Sequence, residues 1–219
     1  MISGEAQPGP ADDPAGLRDA LSRINDARRE PEYGPARLRG LLDGFERLVE
    51  TLPGEDRRMA GAASLGELES LLGAEGAGDA AAELRRYLEP LLDRLLEGLL
   101  DYPEHRLAAY GSLLPGEDNH HHVATLVGHW VEGTVEGTLF DRGWAARQGY
   151  PGFLPGGRER VVVGVFDSLA LPGAWERLDA FEGPNYRRIL IPVETESGRI
   201  VCNIYEWIGP IDRAPPDPA

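Results

Sequence analysis

The sequence contains no lysine; all 22 of its cationic side chains are arginine. That bias reflects coding composition more than mechanism. Cations are also outnumbered, since 37 acidic residues leave a formal net charge of −15. Binding a phosphate backbone needs clustered cations, so this balance argues against a nucleic-acid partner and favours a soluble, cytosolic life. Cysteine is nearly absent. The single one, Cys202, excludes an internal disulfide. It sits in the apolar alternating run Ile200 to Tyr205 with no cation in that run, so it reads as a small strand residue rather than a nucleophile. No stretch of about 18 apolar residues occurs, which excludes a helical membrane span. Met1 to Pro10 has neither a basic head nor an apolar run and does not read as a secretory signal. What remains suffices for a core. Over 219 residues, 42% are hydrophobic, with four Trp, seven Tyr and five Phe, enough for one large domain or two small ones.

Residues 1–13, rich in Pro, Gly and Asp, read as a disordered lead-in. Asp13 is placed as an N-cap, with Pro14 at the first helical position; Leu17, Leu21 and Ile24 follow at helical spacing. A second helix is predicted over 35–51, where Leu38, Leu41, Leu42, Phe45, Leu48, Val49 and Leu52 share one 3.6-period stripe. Pro53-Gly54 ends it. Ser64-Leu65-Gly66-Glu67 has capping-box spacing and predicts a helix starting there and continuing through Leu68, Leu71 and Leu72. Residues 79–101 are helical again, and Pro90 either kinks that segment or begins a new helix. Residues 14–103 are thus expected to be an all-helical domain, either a small bundle or a layer packed on the second half of the chain. This half resembles no family that can be named and has no fixed-period repeat.

After Asp101-Tyr102-Pro103 the texture changes to short alternating runs separated by Gly and Pro. Strands are predicted at 106–110, 129–140, 159–167, 186–194 and 199–207, with short helices at 118–127 and 173–181. Five short strands of this kind suggest a compact barrel, and Gly133, Gly137 and Gly164 suit the bulges or tight bends that closing one requires. The fold class is therefore α+β: an N-terminal all-helical unit, then a small mixed β-barrel over 104–208 with short helices, and a Pro-rich tail at 209–219.

Two stretches carry chemistry. Leu107 to Tyr110 is an apolar strand that turns through Gly111 and Ser112. Such a turn presents consecutive backbone N–H groups that can hold a carboxylate or oxyanion without a charged side chain. Further on, Glu182 ends a short helix stopped by Gly183-Pro184, a candidate general acid/base. These pieces also form an ordered set. Tyr110-Gly111-Ser112-Leu113 resembles the Tyr-Gly-(Ser/Thr)-Leu loop of the γ-glutamylcyclotransferase-like family, which includes the γ-glutamylamine cyclotransferases and avirulence-induced-gene-like proteins. Gly137-Thr138-Leu139-Phe140-Asp141 resembles that family's Gly-x-Leu-(Tyr/Phe)-Asp strand end, and Tyr150-Pro151-Gly152 its Tyr-Pro-Gly turn. Leu178-Asp179-Ala180-Phe181-Glu182-Gly183, with Tyr186 and Arg187, resembles its Leu-Asp-x-(Phe/Tyr)-Glu-Gly and Tyr-x-Arg block.

The resemblance covers residues about 105–208. It implies a small mixed barrel and an enzyme that releases 5-oxoproline from a γ-glutamyl amine or peptide. In it, Tyr110, Gly111, Ser112 and Leu113 would hold the substrate's α-carboxylate and Glu182 would move protons. Tyr186 would help wall the pocket with Phe181, and Tyr150 and Asp141 would line it or serve structure alone. No metal, nucleotide or redox cofactor is implied. The partner is a small γ-glutamyl molecule, with neither nucleic acid nor membrane; a homo-oligomer interface or a protein partner would attach through the helical half. The rival reading is a non-catalytic binding module that keeps the barrel and works through its helices.

Other residues suggest chemistry less well. Ser112 lacks a Gly-x-Ser-x-Gly elbow. His120-His121-His122 would point in different directions on a helix and has no further ligand at metal spacing, so it reads as a solvated helix start. Arg187 and Arg188 face opposite sides of a strand; one is expected to reach the pocket mouth or pair with an acid, the other to be exposed.

Overall fold

The structure is a computed structural model that describes residues 14–29, 35–52, 59–66, 70, 91, 94–95, 98–140 and 152–210. The chain divides into two units, Met1–Tyr102 and Pro103–Ala219. In the first, the amphipathic stripes form α1 (Pro14–Arg29) and α2 (Pro35–Thr51). Leu21 and Ile24 of α1 and Leu41, Phe45 and Leu48 of α2 are at most 1% exposed. Each such side chain contributes roughly 1.5–3 kcal/mol by leaving water. Gly44 lets α2 approach closely, because a Cβ there would stand 2.8 Å from Ile24 Cγ1 and 3.3 Å from the Ala20 carbonyl oxygen.

Residues 59–66 are helical, so the predicted start at Ser64 is wrong. Its hydroxyl donates to the Ala60 carbonyl at 3.0 Å, the bond of a serine inside a helix rather than one capping it. Asp13, Leu38's side chain and Pro90 lie outside the described residues.

The second unit is a barrel. Its strands are β1 (Arg106–Ala109), β2 (His129–Phe140), β3 (Gly152–Pro155), β4 (Glu159–Asp167), β5 (Tyr186–Thr195) and β6 (Gly198–Trp207), with the helix α3 (Trp175–Glu182) between β4 and β5. The sheet order is β3-β2-β4-β1-β6-β5, and β2 also pairs with β5. That last pairing, Gly133 to Thr195 and Thr134 to Glu194, closes five strands into a mixed barrel in which β1 and β6 run parallel and the other neighbours antiparallel. β3 lies outside the closed circuit, on the far half of β2.

The expected bulges are absent from the β2–β4 ladder, whose register runs unbroken from His129–Asp167 to Gly137–Glu159. The glycines serve close approach instead. A Cβ on Gly133 would meet Val193 Cγ1 at 2.6 Å, and one on Gly164 would meet Leu114 Cδ2 at 2.6 Å. From sequence β3 reads only as a turn, since four residues bounded by glycine and proline carry no alternation to detect. The helix expected over 118–127 is a single 3-10 turn at His120–His122.

Two apolar clusters hold the barrel. Val135, Val163, Val165, Ile191, Val193 and Ile204 fill its interior. Leu107, Phe166, Trp175, Leu178 and Tyr205 form the other cluster, which seats α3. β6 serves both, which is why every residue from Val201 to Trp207 is buried.

Candidate active site

Strand β1 ends at Ala109, and Tyr110 follows into the turn. Its hydroxyl donates to the Tyr205 carbonyl at 2.7 Å, and its ring lies 5.6 Å from that of Phe153. Leu114 N–H closes the turn onto the Gly111 carbonyl at 3.0 Å. Asn119 braces it from below: its backbone N–H donates to the Ser112 carbonyl at 3.0 Å and its side-chain Nδ2 to the Ser112 hydroxyl at 2.9 Å. His120 Nδ1 donates to the Leu113 carbonyl at 3.0 Å. The N–H groups of Gly111, Ser112 and Leu113 donate to no acceptor among the described residues. Among the described residues the turn is thus held through its carbonyls and Ser112 Oγ, and consecutive N–H groups of this kind are able to hold an anion.

Glu182 is the last residue of α3, half-buried. The helix stops at Gly183, whose φ of 73° is easy only for glycine and whose N–H returns to the Asp179 carbonyl at 3.1 Å. Burial pushes the Glu182 carboxyl up to about 7, and the Asp179 carboxylate adds to the rise. Burial also pushes Tyr186 up to about 12, with Glu182 contributing. Tyr110 is held well above its ordinary value by burial first, then by Tyr186 and Glu182. Tyr110, Glu182 and Tyr186 therefore share one electrostatic neighbourhood. A carboxyl that titrates near neutrality can accept and return protons at physiological pH.

Of the other expected residues, Tyr150 and Asp141 lie outside the described residues. Phe181 is the ring partner of His122 at 3.9 Å, so it belongs to the packing under α3. The histidines bond to backbone carbonyls or stack, and among the described residues no group of three or more His, Cys, Asp or Glu could hold a metal ion. Cys202 is buried and its thiol pushed up to about 12 by that burial.

Neither arginine is the free, exposed one expected. Arg187 pairs with buried Glu206 at 2.7 Å. Arg188 pairs with Asp179 and turns toward Glu104 and Asn203. In the Tyr-x-Arg spacing counted from Tyr186, the arginine is Arg188, not Arg187. Sequence reading misses Asp179, Tyr205 and Glu206 as neighbours of the site. The motif contains Asp179, but the partners that define its role lie 9 and 26 residues away on two strands.

The model of the family described as gamma-glutamyl cyclotransferase, AIG2-like, matches residues 107–218. No curated protein matches the chain. Among solved structures it is similar to an uncharacterized protein from Pyrococcus horikoshii, at 24% identity over 48% of this chain and 80% of that one, with a TM-score of 0.36. It is similar to an aig2-like protein from Mus musculus at 20% identity over 51% of this chain and 80% of that one, TM-score 0.40. A structure described as a gamma-glutamyl cyclotransferase is 16% identical over 48% of this chain and 66% of that one, TM-score 0.35. No helix among the described residues is long and apolar enough to cross a membrane.

Proposed function

The chain belongs to the gamma-glutamyl cyclotransferase, AIG2-like family, and from that premise we propose that it releases 5-oxoproline from a γ-glutamyl amine or peptide, with Glu182 as general acid/base. The observation that carries this reading is the Glu182 carboxyl itself, half-buried at the end of α3 and raised to about 7.

In the proposed reaction the α-carboxylate of the substrate lies on the available N–H groups of Gly111, Ser112 and Leu113. That contact bends the γ-glutamyl chain so that its α-nitrogen faces its own γ-carbonyl. Attacking and attacked atoms already belong to one molecule, so the protein supplies orientation and proton movement rather than a nucleophile. The α-nitrogen forms the new C–N bond of a five-membered ring and the old C–N bond to the leaving amine breaks. Of the three ammonium protons, one stays on the ring nitrogen and two depart with the leaving group as its own ammonium. Glu182 carries protons between the two nitrogens, taking each from the attacking side and returning it to the leaving side. Tyr110 and Tyr186, both held in their protonated forms, wall the carboxyl without competing as bases.

The test is mass-spectrometric detection of 5-oxoproline from purified protein offered γ-glutamyl amines, γ-glutamyl dipeptides and glutathione, beside Glu182→Gln. Release by the wild type and loss in the variant supports the reading. Equal release by both removes Glu182 from the chemistry. Silence of a folded wild type across the panel counts against the reaction and favours a barrel that only binds.

A further inference from the structure

Behind Glu182 stand side chains that the proposed chemistry does not use. Asp179 precedes Glu182 by three residues on α3 and shares its helix face. Its Oδ1 accepts from Arg188 Nε at 3.0 Å and from the Tyr205 hydroxyl at 2.7 Å, and its Oδ2 accepts from Arg188 Nη2 at 3.2 Å. Arg188 is fixed in turn. Its guanidinium lies 4.3 Å from the centroid of the Trp175 ring, and its Nη1 reaches Asn203 Oδ1 at 3.3 Å and Glu104 at 3.4 Å. Asn203 is buried and donates to the Pro103 carbonyl at 2.8 Å. Tyr205 supplies, through its carbonyl, the acceptor for Tyr110. One carboxylate thus gathers α3, β5, β6 and the end of β1.

An exposed ion pair contributes little. Asp179 is itself exposed, but here a two-toothed guanidinium and a phenol, each on a separate strand, meet the same carboxylate and tie the end of α3 to both strands. We propose that Asp179, Arg188 and Tyr205 are positioning residues, a clamp that holds the end of α3 so that Glu182 faces Tyr110 and Tyr186. The proposal rests on the reading of Glu182 as acid/base. The titratable groups facing Glu182 are Asp179 on its own helix, Tyr186 on β5, Tyr205 on β6 and Tyr110 at the end of β1. Arg188 and Glu104 stand behind Asp179. The clamp therefore also sets the charge beside Glu182, and this separates it from packing alone.

The experiment compares Tyr205→Phe and Asp179→Asn with the wild type, using Arg199→Ala, at an ion pair on the β5–β6 hairpin, as the control. Two readouts are taken: 5-oxoproline release across pH, and carbon-13 NMR titration of the Glu182 carboxyl, assigned with Glu182→Gln. Tyr205→Phe keeps the ring and removes only the phenol bond; it is expected to lower kcat about tenfold with KM changed less than twofold. Asp179→Asn is expected to lower kcat and to move both the kcat/KM inflection and the Glu182 titration to lower pH, because a like charge is gone. Wild-type kcat and an unmoved inflection in folded variants would overturn the clamp. If Asp179→Asn does not fold, the kcat of Tyr205→Phe decides. If the wild type releases no 5-oxoproline, the catalytic reading falls by itself. The NMR titration then still decides the clamp, an unmoved Glu182 in Asp179→Asn overturning it.

Discussion

The middle of the barrel and the end where β1 and β6 finish are built from the same strands and do opposite work. In the middle, Val135, Val163 and Ile204 are at most 1% exposed, the β2–β4 register is unbroken, and shape alone decides. At the end, β5 and β6 deliver Arg187, Arg188, Tyr205 and Glu206 and Tyr110 follows β1, and their hydrogen bonds run between elements. A polar group at that depth costs free energy unless it is partnered. Most are partnered among the described residues; Glu182 is left with a burial that raises its carboxyl, and the neighbouring Asp179 carboxylate raises it further. The difference is one of what holds each region: the middle is held by apolar packing, and the end by hydrogen bonds between elements, beside a carboxyl that burial raises.

Single substitutions separate the two regions. The largest effect falls at the end. Glu182→Gln should lower kcat for 5-oxoproline release by about 10²- to 10⁴-fold, the range for general acid/base groups, with no loss of melting temperature. In the middle the reverse holds. Ile204→Ala should cost about 2–5 kcal/mol in urea unfolding, because a fully buried side chain leaves a cavity, while activity per folded molecule stays close to wild type. Smaller is Gly133→Ala, expected to cost about 1–3 kcal/mol by driving a methyl against Val193.

Next comes a stability gain. Glu182 is raised in the folded state, so the fold prefers it protonated. Its cost is full above about 7 and absent below its ordinary value of 4.5. Glu182→Gln should therefore be more stable than wild type by about 1–3 kcal/mol at pH 8, a difference that vanishes by pH 4 in calorimetry. Least of all, Arg199→Ala breaks a hairpin ion pair and should change stability by under about 0.5 kcal/mol.

Much of the fold is legible in the sequence. The alternation in β2 and β4 and the helical stripe of α2 each arise from burial on one face, and the observed spans agree with those readings. What escapes has physical reasons. β3 is too short to alternate, and Ser64 bonds back to its own helix rather than starting one. For the candidate site, Glu182 and the Tyr110–Leu113 turn are visible because each is a local motif. The clamp is not, since Asp179, Arg188 and Tyr205 are brought together only by folding. No periodicity encodes a contact among a helix and two strands.

The most direct test of the account is the pH dependence of kcat/KM for 5-oxoproline release, measured on the wild type with its best γ-glutamyl substrate. A working base must be deprotonated, so activity is expected to rise with pH through an inflection near 7, where burial places Glu182. An inflection at the ordinary carboxylate position near 4.5, or none that Glu182→Gln removes, would contradict it.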